Sequence, residues 1–313
     1  MTLNERIAAL HSRLHEADAH LSVKRDALMA RYTTLHLGGP ADLLASPDRP
    51  EQVQLLLRAA HELDVPVVII GNGSNLLVKD GGIRGLVIRM CRDMQHIEVH
   101  GSRIRAEAGA MMSTLSMAAA EANLAGLTFA SGIPGTVGGG VYMNAGAYGG
   151  EMSQVVTLVE GFDFTGEAFS YTRPEMQFSH RHTRLMDESK LITHVTFQLH
   201  PGKREELLSE MVDFNTRRAE KQPLTKFSAG STFKRPANGY ASAMIDQCGL
   251  KGFAIGGAQV SEKHAGFCIN NGGTAADFLA LIAHVQRTVQ DRFGTRLEPE
   301  VRILGEDAPV TKA

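Results

Sequence analysis

The sequence predicts an α+β protein in which helices and strands alternate irregularly and two glycine-dense loops each follow such an element. Three observations carry that reading. A strand–helix–strand pattern follows Leu35-His36-Leu37-Gly38-Gly39-Pro40, alternating apolar runs recur through the middle of the chain, and a charged helical pattern begins beyond Pro201-Gly202. At 313 residues the chain suits two or three domains and can bury a large core.

The elements read as follows. Residues 1–30 read as an amphipathic helical region, with Leu3, Ile7, Leu10 and Leu14 at helical spacing; its expected role is packing or an added clamp, without chemistry. Asp48 and Pro50 signal a helix start, Val53 to Leu63 carry its apolar face, and Val65–Ile70 reads as a buried strand. Short strands are expected near Leu86–Arg89, Ile97–Val99 and Ile104–Ala106, followed by a helix around Ser113–Ala122. Val155–Phe164 and Leu191–Leu199 alternate as strands, and the composition shifts near Pro201-Gly202. Lys203–Lys221 reads as a charged helix. After a short helix and short strands, a last helix opens on Thr274 and Asp277, a capping-box pattern, and runs to Phe293. Leu297–Gly305 reads as a strand returning to the core.

Composition excludes several function classes. The net charge of −2 gives no global field for nucleic acid or membrane, so an anionic ligand must be gripped by local basic residues. Aromatic residues make up only 6% and tryptophan is absent, which argues against base stacking. Cys91, Cys248 and Cys268 are odd in number and far apart, forming neither a disulfide framework nor a zinc pattern. The polar, acidic start lacks the apolar core of a signal peptide, and no apolar run approaches the roughly 20 residues that span a bilayer. A cytoplasmic protein with no nucleic acid, membrane or obligate protein partner is expected.

The densest motif is Ser131–Glu151, SGIPGTVGGGVYMNAGAYGGE, with eight glycines in 21 residues and almost no charge. Glycine has no Cβ to hold a ligand away from the backbone. A solvated linker of this glycine content would carry Ser, Lys or Glu, whereas this one holds Ile133, Val137, Val141, Tyr142 and Met143. It reads either as a buried turn or as a cofactor cradle. Gly71-Asn72-Gly73-Ser74-Asn75 directly follows the buried strand; its successive N–H groups suit a pyrophosphate, or it is a bare strand-end turn. It is neither a P-loop nor a dinucleotide fingerprint, since the Gly-Lys-Ser/Thr ending and the third glycine are missing. Two such loops fit FAD, held from two sides, better than a mononucleotide.

Five blocks in order then carry a family resemblance: Gly71–Leu77 (GNGSNLL), Ser131–Glu151, Ser228–Pro236 (SAGSTFKRP), Gly256–Gly266 (GGAQVSEKHAG) and Pro299–Gly305 (PEVRILG). They cover roughly residues 33–305, and the chain resembles the UDP-N-acetylenolpyruvoylglucosamine reductases in their shorter variant. The resemblance implies a two-part FAD-binding domain of the vanillyl-alcohol-oxidase (PCMH) type over 31–201, with subdomains near 31–92 and 93–201. A smaller α+β substrate-binding domain over 202–296 and a returning strand and tail over 297–313 would complete it. It implies FAD contacts at Gly71, Asn72, Gly73, Ser74, Asn75 and Leu76, and at Ser131, Gly132, Pro134, Gly135, Gly138 and Gly139. Arg181, Ser231 and Glu300 match the catalytic positions, and Lys221, Lys234 and Arg302 match positions facing the substrate or its diphosphate.

The implied reaction is the NADPH-dependent reduction of UDP-N-acetylglucosamine enolpyruvate to UDP-N-acetylmuramate, for peptidoglycan synthesis. Hydride passes from the reduced flavin N5 to C3 and a proton to C2. Arg181 suits the enolate-like charge, because its planar fork can hold a carboxylate in two bonds. Glu300 in its protonated form would polarise that carboxylate. Ser231 would donate the proton, a task for a strongly basic carbanion beside cations such as Lys221. No G-x-S-x-G elbow surrounds Ser231, which speaks against a nucleophile.

His180-Arg181-His182 has the spacing of a metal pair, but a third ligand is not apparent and the arginine would repel a cation; no metal is expected. His180 stands where many family members carry Tyr, a change that would make activity more pH-sensitive, and Thr183 stands where Ser is common. Arg217, Arg218 and Lys221 are either a solvated helix face or a diphosphate grip. A flavin-dependent alcohol or sugar oxidase on the same fold is the alternative activity, and a non-catalytic nucleotide sensor the alternative of another class.

Overall fold

Each of two units of the chain builds a large hydrophobic core of its own. The computed structural model describes residues 1–91 and 93–308, so the end of the expected tail, 309–313, lies outside the described residues. The first unit holds Met1–Arg25, Leu43–Asn72 and Gly85–Arg217; the second holds Asp26–Asp42, Gly73–Arg84 and the chain from Arg218. The two units interleave along the chain. The segments 26–42 and 73–84 go with the second unit because they carry Leu35, Leu37 and Leu77, which are buried in its core.

In the first unit, helix α1 (Leu3–Ala17) starts at a capping box, with Thr2 accepting from the Glu5 N–H and Glu5 accepting from the Thr2 N–H. Ile7, Leu10 and Leu14 are its buried stripe, packed with helix α2 (Pro50–Glu62), which has Pro50 at its first position and buries Val53, Leu56, Leu57 and Ala60. The helical region expected over residues 1–30 ends at Ala17, and Ser22–Leu28 is instead a strand. It is the edge of a four-stranded sheet ordered Ser22–Leu28, Pro40–Ser46, Ile83–Arg89, Val67–Ile70. Its run of Lys24, Arg25 and Asp26 suits an edge position, and its pairing partner comes from tertiary structure, so helical spacing could not reveal it.

Val67–Ile70 pairs in parallel with Ile83–Arg89, and the first glycine loop leaves the carboxyl end of Val67–Ile70. Open α/β sheets present their ligand crevices at that end. The same unit contains a five-stranded antiparallel sheet ordered Ala168–Thr172, Val156–Asp163, Lys190–Gln198, Arg103–Glu107, Ile97–His100. Helix α3 (Met112–Glu121) and the short helix α4 (Val137–Tyr142) lie beside it, and α5 (Arg204–Lys221) follows the last strands. No described helix is long and apolar enough to cross a membrane.

The second unit contains a four-stranded antiparallel sheet, Phe227–Ser228, Cys268–Asn270, Ala258–Val260, Ala254–Ile255, with helices α6 (Ala241–Gln247) and α7 (Ala275–Phe293). Thr274 and Asp277 cap α7 reciprocally, and Asp80 accepts the Ala275 and Ala276 N–H groups, each at 2.9 Å. Arg302–Leu304 pairs in parallel with Leu76–Val78, so the returning strand is tied directly to the chain beyond the first glycine loop.

Candidate active site

Within the first unit the two glycine-dense motifs meet. The Asn72 amide donates to the Pro134 carbonyl at 2.8 Å, and a Cβ on Gly71 would lie 2.4 Å from Thr136 Oγ1. Thr136, buried, caps α4 by accepting the Gly139 N–H. The motif expected as a loop thus contains a helix turn, because this cap and close packing outweigh the poor helix propensity of three successive glycines. Gly138 donates its N–H to Ala108 and would place a Cβ 2.8 Å from the Ala108 Cβ. It is a packing glycine, with its N–H already committed. Gly139 is exposed, with only Thr136 Oγ1 near its Cβ position, at 3.5 Å. Pro134 is exposed, the Gly135 carbonyl accepts the Met112 N–H, and Ser131 is buried with Oγ 3.5 Å from the Asn215 amide.

Arg181 sits in the same unit, at the tip of a tight turn closed by mutual Ser179 and His182 backbone hydrogen bonds. Its backbone is left-handed, φ +55, a conformation that costs a non-glycine residue energy and persists only where the surroundings impose it. The guanidinium donates to the Asn144 carbonyl at 3.3 Å and the Gly146 carbonyl at 3.0 Å. Glycine-rich backbone therefore holds the charged fork. Thr183, fully buried, donates to the Tyr142 carbonyl at 2.7 Å and ties the turn to the end of α4. His180 is exposed at the tip, and His182 pairs with Asp187 at 3.2 Å.

In the second unit, Gly73 has φ +68, and a Cβ there would lie 2.1 Å from the Tyr32 carbonyl oxygen. Its carbonyl accepts the Thr34 N–H. The Asn75 side chain donates to the Glu300 carbonyl at 3.1 Å, and the Asn75 carbonyl accepts the Arg302 N–H at 3.0 Å. Glu300 in turn donates its N–H to the Thr232 carbonyl at 2.8 Å, and Phe233 bridges Pro299. Three separate sequence motifs, around Asn75, Ser231 and Glu300, are thereby laced side by side. Ser231 is exposed, Glu300 half-buried, and Thr232 between them is buried with its hydroxyl accepting the Cys268 N–H. Burial pushes the Cys268 thiol up to about 11, which leaves it an inert packing group.

The expected substrate-facing cations differ in their surroundings. Lys234 is exposed and reaches Glu298 at 3.4 Å; Arg302 is exposed at the head of its strand; Lys221 ends α5 in solvent. Arg217 is engaged with Asp213 one turn back and lies over Phe214, so it belongs to the helix surface rather than to a diphosphate grip.

Similarity to known proteins decides the family. A model described as an FAD binding domain matches residues 41–170, and one described as the UDP-N-acetylenolpyruvoylglucosamine reductase C-terminal domain matches residues 222–304. The UDP-N-acetylenolpyruvoylglucosamine reductase of Latilactobacillus sakei is 46% identical over 292 residues, covering 93% of this chain and 96% of that protein. That of Clostridium beijerinckii is 46% identical over 299 residues, 95% and 97% of the two chains. The chain belongs to the UDP-N-acetylenolpyruvoylglucosamine reductase family. The crystal structure of the Thermus caldophilus member of that family superposes with a TM-score of 0.78 at 34% identity, covering 91% of this chain and all of that one. As a member of this reductase family with an FAD-binding domain, the chain is an FAD-dependent oxidoreductase of the expected α+β class.

The residues present fit FAD. Among the described residues no protein acceptor takes the backbone N–H groups of Gly71, Asn72, Gly73 or Ser74, and donors left so are what a pyrophosphate satisfies. Gly139, open on its outer side, has no side chain to hold a flat ring away. Sequence reasoning about this reductase missed Thr136 and Asn144. A threonine three residues before Gly139 is an N-cap signal, whereas nothing along the chain links Asn144 to residues 35 and 37 positions further on.

Proposed function

We propose that this protein reduces UDP-N-acetylglucosamine enolpyruvate to UDP-N-acetylmuramate in the cytoplasm, with NADPH as donor, as a step in peptidoglycan precursor synthesis. What supports the reading most is the lacing of the Ser231 and Glu300 segments, Glu300 N–H to Thr232 carbonyl at 2.8 Å, in a chain 46% identical to reductases named for that substrate. Residues 31–201 are assigned to flavin binding and 202–296 to the substrate, in keeping with the family models at 41–170 and 222–304. Gly71, Asn72, Gly73, Ser74, Asn75, Leu76, Ser131, Gly132, Pro134, Gly135 and Gly139 would hold the FAD; Gly138 supports them through Ala108.

Held by these residues and reduced by NADPH, FAD would supply a hydride for C3 of the enolpyruvyl group. Arg181 binds the substrate carboxylate and stabilises the negative charge that develops next to it, with its fork oriented beforehand by two backbone carbonyls. Ser231 donates its hydroxyl proton to C2, and water reprotonates the serine. Glu300 assists at the carboxylate, its backbone held by Thr232 and Asn75. Lys221, Lys234 and Arg302 bind the diphosphate from exposed positions.

The test is an absorption spectrum of the purified protein, followed anaerobically by NADPH and then by the enolpyruvyl sugar nucleotide. A flavin band that bleaches and then recovers is expected. In Ser231→Ala, bleaching should keep its rate while recovery slows by about 10²–10⁴-fold, the range for a lost general acid. Recovery at the parent rate would remove Ser231 from the mechanism, and a band that never recovers in the parent protein would overturn the substrate assignment.

A further inference from the structure

We infer that Asn144 is a positioning residue for Arg181, holding that side chain in the geometry the oxidative half-reaction needs; the inference rests on the role proposed above for Arg181. Asn144 is fully buried and polar, with its backbone left-handed at φ +46, a conformation asparagine accepts more readily than most residues. A buried amide needs partners for its nitrogen and its oxygen, and this one has a partner for each, on two segments apart in sequence. Its Nδ2 donates to the Ser179 carbonyl at 2.9 Å, and its Oδ1 accepts the Ser153 N–H at 3.0 Å. The amide orientation is set by its partners, one an obligate acceptor and the other an obligate donor. Its own carbonyl then accepts from the Arg181 guanidinium at 3.3 Å.

One residue thus touches the Arg181 turn twice, at the base through Ser179 and at the charged end through the guanidinium. The second guanidinium partner, the Gly146 carbonyl, lies two residues along the same backbone, on a hairpin in which Gly146–Ala147 pairs with Gly150–Glu151. The Ala145 carbonyl accepts the Met152 N–H, which fixes the stretch between. Arg181 is itself in a costly left-handed conformation at a turn tip, so an external clamp is needed to keep it there. Helix and glycine packing alone would not require an amide at position 144. A backbone that merely turned left-handed would accept glycine equally well.

The experiment is a double-mutant cycle on flavin reoxidation by the enolpyruvyl sugar nucleotide, read with NADPH-driven flavin reduction as the internal control. The variants are Asn144→Gly, Arg181→Ala and the pair. Asn144→Gly keeps the left-handed backbone and removes the amide. If it yields no flavin-loaded protein, Asn144→Asp takes its place, keeping the acceptor for Ser153 and replacing the donor to Ser179 with an oxygen. Asn144→Gly or Asn144→Asp should slow reoxidation by about 10–100-fold, the size expected when a reacting group is misplaced, and leave flavin reduction near its parent rate. In the Arg181→Ala background the same substitution should change reoxidation by less than about twofold. Full additivity of the two substitutions, or equal slowing of both half-reactions, would overturn the positioning role while leaving Arg181 in place. A parent-like reoxidation rate in Arg181→Ala itself would overturn the role of the arginine and the inference with it.

Discussion

Replacing Gly71 by alanine would place a methyl group 2.4 Å from Thr136 Oγ1 and 3.5 Å from the Thr136 Cβ and Cγ2. Carbon atoms in proteins rest about 3.5–4.0 Å from their neighbours, so this overlap is roughly an ångström deep. Thr136 has little room to give. It is 1% exposed, β-branched and therefore stiff at its first torsion, and its hydroxyl caps α4 through Gly139. Overpacking of this kind costs about 1–3 kcal/mol, and losing a threonine cap costs about 1 kcal/mol more if the side chain swings away. The melting temperature of the flavin-free protein should therefore fall by a few degrees, at about 1.5 °C per kcal/mol from an unfolding entropy of roughly 2.1 cal/mol/K per residue. Calorimetry of Gly71→Ala, Thr136→Ala and the double variant tests the cause. With the oxygen gone the clash goes too, so the double variant should melt close to Thr136→Ala alone. A Gly71→Ala protein that melts with the parent, or a double variant that loses the full sum, would refute the steric argument.

Gly139→Ala should behave in the opposite way: its Cβ position is clear apart from Thr136 Oγ1 at 3.5 Å, so alanine in α4 should be neutral or stabilising by up to about 1 kcal/mol. If Gly139 faces the flavin, the same variant should bind FAD more weakly by titration, and unchanged affinity would take Gly139 out of the cradle. Glu188 gives a pH prediction. The Lys190 ammonium, together with Arg184 and Tyr171, holds its carboxyl down to about 2 from an ordinary 4.5. A carboxylate depressed on folding stabilises the folded state above its ordinary value and loses that effect as the pH falls through its folded value. Glu188→Gln should thus be less stable than the parent at pH 7, with the difference closing between about pH 4.5 and 2 in urea unfolding. A gap that widens on acidification would contradict the assigned partners.

Much of the local structure was legible along the chain because its signals are local. Pro50 at the first turn of α2, the Thr274–Asp277 box at α7 and the period-two runs of the central strands depend on neighbouring residues, and each element stands within a few positions of where spacing put it. The motifs at Asn75, Ser231 and Glu300 stood out through their resemblance to blocks of the reductase family. What spacing could not convey was partnership across hundreds of residues. The strand at Ser22–Leu28 exists because a neighbour accepts its edge, and the helix at Val137–Tyr142 because Ala108 and Thr136 outweigh its glycines. The carbonyl of Asn144 acquires its meaning only where the guanidinium of Arg181 reaches it. Composition and periodicity determined which segments fold; long-range hydrogen bonds and the refusal of buried atoms to overlap decided how those segments are held, because such contacts leave no period in the chain that makes them.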